Sequence, residues 1–160
     1  AFTASIKRME KEVLKVAGKL PNYGKLKTMR GIGEILGMTI ILEAGPISRF
    51  KSAENFASYC RAVQSKRMTN GKKKGENNSK SGNRYLAWAF VEAANLSRIH
   101  DPRARKWFDR KMAKTNRIVA TKALACKLAK AAWYILKEGS VYDGDRLFGP
   151  ESAKKESKRG

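Results

Sequence analysis

The sequence predicts an all-α fold, and three observations carry that prediction. Apolar residues recur at spacings of three and four along most of the chain, the period of amphipathic helices. Capping residues and Gly-Pro stops cut the pattern into helix-sized pieces. No segment alternates with the two-residue period of a strand over a useful length. At 160 residues the chain suits one domain with an ordinary core and some tail.

Ile6, Met9, Val13, Val16 and Leu20 form a heptad seam flanked by Lys7, Arg8, Glu10, Lys11 and Glu12. Two heptads are too short to hold a coiled coil alone. The partner of this seam is therefore the domain itself, a second subunit, or a segment upstream of Ala1. Pro21-Asn22-Tyr23-Gly24 ends the helix. Leu26 to Arg30 then runs into Gly31-Ile32-Gly33, and a further helix starts at once with Ile35, Met38, Ile41 and Leu42 as its apolar residues. Two glycines around one aliphatic residue permit a tight turn, and its outward amides at a helix start can hold a phosphate. This stretch reads either as a helix-hairpin-helix gripping nucleic-acid backbone or as a tight αα-hairpin that holds nothing.

Gly45-Pro46 stops that helix. Ser52 caps the next, whose face is Ala53, Phe56, Ala57 and Cys60. From Arg61 to Gly82 the apolar pattern vanishes, and lysines and arginines stand against the single acid Glu76. This is expected to be a long exposed basic loop. Tyr85 to Leu96 is apolar nearly all round, as a central buried helix would be, with Ser81 or Asn83 as its cap. Asp101-Pro102 starts another helix, which offers Ala104, Trp107, Phe108 and Met112 inward. Thr115-Asn116 precedes the last long helix, with Ile118, Thr121, Ala125, Leu128, Ala132 and Ile135 on one side. The chain divides into an N-terminal heptad helix (1–23), a helical domain (24–138) and a basic tail expected to be disordered (139–160).

The 35 lysines and arginines against 14 acids give a net charge of +21, which argues for a polyanion partner, nucleic acid first. No run approaches a bilayer span and no secretory segment opens the chain, so no membrane role is expected. Cys60 and Cys126 lie on apolar helical stripes without neighbours at metal-ligand spacing, and read as buried thiols of a reducing cytosol. The single histidine, His100, has no Cys or Asp arrangement making a triad with it. Asp143-Gly144-Asp145 is too weak a pattern to assign a metal. A hydroxyl nucleophile among cations is the remaining route to strand breakage, and Ser65, Thr69, Ser79 and Ser81 are the hydroxyls of the basic loop.

Several blocks stand in order: Met29 to Gly33, Leu42 to Phe50, Phe56 to Arg61, Asn70 to Gly75, Ser79 to Leu86 and Ala123 to Ala129. Together they resemble the C-terminal half of the Piv/MooV-type insertion-sequence transposases, the DEDD family guided by a bridge RNA, over about residues 24–138. The resemblance implies a DNA-binding domain bearing a serine nucleophile. That domain works with an RuvC-like domain, which holds the metal-binding acids and its Mg2+ and is absent from this chain. The helix of residues 6–20 would be the family's helical linker. The resemblance also implies DNA, a structured guide RNA and a homo-oligomer as partners, and a prokaryotic cytoplasmic location at the nucleoid. Thr69 holds the position of the family serine, with Ser65 as the alternative under a shifted alignment. Gly31, Gly33, Arg49, Lys51, Lys66, Arg67, Lys72, Lys73, Lys74, Lys80 and Arg84 are the expected nucleic-acid contacts, and no metal or cofactor site is expected in this chain. A stand-alone helix-hairpin-helix module for DNA junctions or structured RNA is the rival reading.

Overall fold

A computed structural model describes residues 1–63, 66–69, 72–76 and 81–150. Among the described residues there are eight α-helices: α1 (Phe2–Gly18), α2 (Tyr23–Leu26), α3 (Glu34–Ala44), α4 (Ala53–Tyr59), α5 (Arg84–His100), α6 (Pro102–Lys114), α7 (Arg117–Glu138) and α8 (Gly144–Phe148). The core is all-α. A 3-10 turn, Ile47–Arg49, separates α3 from α4. Antiparallel strands β1 (Lys66–Thr69) and β2 (Lys72–Glu76) form a two-stranded ribbon between α4 and α5.

That ribbon corrects the expectation of a structureless loop. Thr69 pairs with Lys72 and Lys66 with Glu76, with an irregularity between Lys66 and Met68. The missed signal is Asn70-Gly71 between the two runs, the dipeptide of tight hairpin turns. Cationic strands carry no apolar alternation, so the period gave no warning.

The predicted caps form. Ser52 Oγ accepts from the Asn55 amide at 3.1 Å, and Asn83 Oδ1 from Tyr85 and Leu86 at 2.9 and 3.0 Å. Asp101 Oδ1 accepts from Arg103 at 3.0 Å, and Asn116 Oδ1 from Val119 at 2.9 Å. Each contact lies within three residues, and such a cap contributes about 1 kcal/mol.

Helices α5 and α7 form the centre, with α3, α4 and α6 packed around them. Phe56, Phe90, Phe108, Leu86, Leu124 and Leu128 are fully enclosed, and Phe56 meets Phe90 edge-on at 6.0 Å. The α4 face is as predicted. Helix α3 is rotated from its expected face: Leu36, Gly37, Ile40, Ile41 and Ala44 are buried, whereas Ile35 and Leu42 are exposed. Helix α5 is one-faced rather than buried all round, with Tyr85 and Trp88 half exposed. Ile118 is 81% exposed at the start of α7, outside the apolar side assigned to it.

The seam of α1 also departs from expectation. Met9 and Val16 are 62% and 60% exposed, and Ile6 and Val13 are open as well. The helix docks through Leu14 and Ala17, and of the seam residues Leu20, just past the helix end, packs on the core. Of the three partners left open by the sequence, the domain itself covers the Leu20 end of the seam and leaves Ile6, Met9, Val13 and Val16 open.

Residues 139–150 are not a disordered tail. This strap carries α8 and folds back on the core. Tyr142 Oη donates to buried Asp101 at 3.1 Å, and the Tyr142 amide donates to Thr28 at 2.8 Å. Arg103 pairs with Asp145, Lys127 donates to the Leu147 carbonyl at 2.9 Å, and Phe148 packs against Trp107. Residues 151–160 lie outside the described residues.

Burial, then the charge and hydrogen bond of Asp101, raise the Tyr142 hydroxyl above its ordinary value of 10.0. The native state holds this proton more tightly than the unfolded chain. Its contribution is therefore complete below pH 10 and declines as pH rises past 10. Tyr142→Phe is expected to cost about 1 kcal/mol at neutral pH and to flatten the alkaline loss in urea titrations. Tyr23, also raised by burial, retains a residual slope. An unchanged alkaline slope would exclude Tyr142 as its source.

Candidate nucleic-acid interface

The ribbon rises from a clamped root. The Asn83 amide donates to the Tyr59 carbonyl at 2.7 Å, joining the end of α4 to the start of α5. Gly82 has φ +104°, and a Cβ built there falls 2.5 Å from the Tyr59 carbonyl oxygen. Only glycine permits that approach. Arg61 turns through φ +56° and reaches back to the Gly82 carbonyl at 3.3 Å. The described residues that flank the ribbon in sequence, Tyr59 to Arg61 and Gly82 to Asn83, are thus tied to each other.

A polar cluster backs this root. Asn83 Nδ2 donates to Glu43 Oε2 at 2.7 Å and lies 3.5 Å from Tyr59 Oη. Arg49 lies over the rings of Phe50 and Tyr59, 4.7 and 4.8 Å from their centres. Hydrogen bonds from Asn83 and then Arg49 hold the Tyr59 hydroxyl below its ordinary value. Arg49 therefore serves a stacking role at the root. Lys51 is exposed beside it, and Arg84 is exposed with its guanidinium on the Tyr85 hydroxyl at 3.0 Å. That hydrogen bond raises the Arg84 pKa further.

The glycine turn stands elsewhere. Gly31 has φ +100°, and a Cβ built there would lie 2.7 Å from both the Ala93 carbonyl and the Ser97 amide. Met29 and Ile32 are buried beside it, and Arg30 donates to the His100 carbonyl at 3.3 Å. The turn therefore packs against the C-terminal half of α5, whereas the ribbon root caps its N-terminus. At 1.5 Å per residue, Asn83 and Ser97 are about 21 Å apart along the helix. Gly31 is explained by backbone packing. Gly33 faces open space, with nothing within 4 Å of a Cβ built there.

Residues 23–109, more than half of the chain, match the transposase IS116/IS110/IS902 family. The chain belongs to that family. Over 141 residues it is 26% identical to the transposase for insertion sequence element IS1328 of Yersinia enterocolitica, covering 86% of this chain and 42% of that protein. It thus spans less than half the length of this relative.

The matched part of this transposase-family chain contains the glycine turn, the ribbon and its root. Thr69, Lys66, Arg67, Lys72, Lys73 and Lys74 stand on the paired strands. Ser65 and Lys80 lie outside the described residues. The expected contacts form two groups at opposite ends of α5. The sequence singled out neither Glu43 nor Tyr59 as a functional residue, since a contact across 40 residues leaves no local signal. The Asp143-Gly144-Asp145 carboxylates are engaged: Asp143 caps α8 and Asp145 binds Arg103. Among the described residues no helix is long and apolar enough to cross a membrane.

Proposed function

We propose that this chain is the DNA-binding, nucleophile-bearing domain of an insertion-sequence transposase of the DEDD, bridge-RNA-guided type. An RuvC-like domain elsewhere in the protein supplies the metal-binding acids and Mg2+. The observation that carries the reading is the cationic ribbon, with Thr69 opposite Lys72, on a clamped root within the family match. A hydroxyl there would attack phosphorus while lysines and arginines stabilise charge on the phosphoryl oxygens. The glycine turn, read as a helix-hairpin-helix, would grip backbone through the open amides around Gly33. DNA, a structured guide RNA and further copies of the protein are the partners of this reading.

Thr69 tempers the chemistry, because its extra methyl restricts χ1 and crowds the oxygen. The full-length protein is expected to form little covalent adduct on DNA, and Thr69→Ser to raise its yield at least tenfold. Mapping the adduct by mass spectrometry tests the assignment, and a site outside residues 61–82 would refute it. The threonine also favours a second reading, a binding module without strand cleavage. An unchanged absence of adduct in Thr69→Ser would support that module.

A further inference from the structure

A second cationic surface lies away from the ribbon. Arg103, Lys106, Arg110 and Lys114 recur at i, i+3, i+7 and i+11 of α6, a single stripe about 16 Å long at 1.5 Å per residue. Arg103 is paired with Asp101 and Asp145, and Asp109 flanks the stripe three residues from Lys106, so its acids gather at the N-terminal part of α6. Lys106, Arg110 and Lys114 are exposed, and Arg110 and Lys114 have no carboxylate partner among the described residues. Beside the stripe is a cleft of about 230 Å³, walled by Arg103, Lys106 and Arg110 on one side and by Phe148 and Pro150 of the strap on the other.

Both walls are fixed in place. Arg103 is held by Asp145 and by Asp101 at 3.6 Å. The Phe148 ring is backed by Trp107, 6.4 Å between centres, and by the Lys127 ammonium at 5.8 Å. The residue is half-buried and lines the cleft. A cationic track beside a fixed aromatic ring suits an unpaired strand, whose phosphates follow the cations and whose bases stack. A duplex conceals its base faces and gains only the charge.

We propose that the α6–α8 cleft binds single-stranded nucleic acid, with phosphates along Lys106, Arg110 and Lys114 and one base against Phe148. This rests on the nucleic-acid reading above and adds a second, strand-selective site to it. The proposed contacts are to phosphates and to a base face, which DNA and RNA share, so oligo-dT and oligo-U are expected to bind alike.

The test measures the salt dependence of binding of the whole chain to a 20-nucleotide oligo-dT, the matching oligo-U and a 20-base-pair duplex. Arg110→Ala/Lys114→Ala should lower the single-strand slope by about 1.4, at 0.7 per phosphate, and weaken the duplex less than the single strand. Phe148→Leu, which keeps an apolar contact on Trp107, should weaken oligo-dT about tenfold without changing the slope. An unchanged single-strand slope in the double variant overturns the proposal. An equal fall for strand and duplex also overturns it, since the surface is then merely cationic. A tenfold preference between oligo-dT and oligo-U refutes the mode of contact. If the parent chain binds the duplex but neither single strand, the cleft alone fails. If it binds no nucleic acid, the nucleic-acid reading itself fails.

Discussion

Gly31→Ala is expected to lower the stability of the domain by about 3 kcal/mol, the sum of a left-handed backbone and an overpacked contact. The new methyl would sit 2.7 Å from the backbone of Ala93 and Ser97, where α5 cannot yield without breaking its own hydrogen bonds. A domain with ordinary stability of 5–15 kcal/mol would lose a large share of it, and Tm should fall by about 6–12 °C. Gly33→Ala is the control. It has open space and extended backbone, with φ −95°, and should change Tm little. Thermal unfolding of the two variants separates the packing role of the turn from any phosphate role. Equal losses would show that both glycines are structural.

Neutralising the ribbon should have the largest effect on binding. Lys72→Ala/Lys73→Ala/Lys74→Ala removes three cations from β2 without touching the clamped root. If each neutralises one phosphate, the duplex salt slope falls by about 2.7 and affinity drops about 10²-fold near 0.15 M salt. The loss should be similar for unrelated duplex sequences, because phosphate contacts position without reading bases. Helical content should remain, as the three lysines belong to β2 and to no helix. Filter binding or anisotropy across a salt series gives the slope, and an unchanged slope would remove the ribbon from the interface.

The two variant sets address separate ends of α5. The ribbon root closes around Asn83 and Tyr59, whereas the glycine turn, the start of α6 and the strap meet near Ser97, His100 and Asp101. A strand engaging both ends would be held over about 21 Å, close to six base pairs of duplex.

What the sequence determined by itself is the local part of the protein: the helical class, the caps at Ser52, Asn83, Asp101 and Asn116, and the apolar face of α4. Each depends on residues within one or two turns, so the period and cap chemistry suffice. It also marked Gly31 as a special backbone position, because a glycine beside an apolar residue between helices signals a tight turn. The ordered blocks between Met29 and Leu86 pointed to an insertion-sequence transposase, the coarser relationship that the match over residues 23–109 shows.

Tertiary structure decided the rest. Apolar residues run nearly all round α3, so its buried face was fixed by α5, α1 and α2 packing against it. The seam of α1 has clear heptad spacing, yet the domain leaves most of it open and uses Leu14 and Ala17. The basic segment formed a ribbon because strand pairing needs backbone groups and a turn, not apolar alternation. The polar strap was ordered by Tyr142, Asp145 and Phe148 meeting residues up to 114 positions away. The separation of the glycine turn from the ribbon arises in the same way. Both are close in sequence to short helices, but the length of α5 sets them at its two ends.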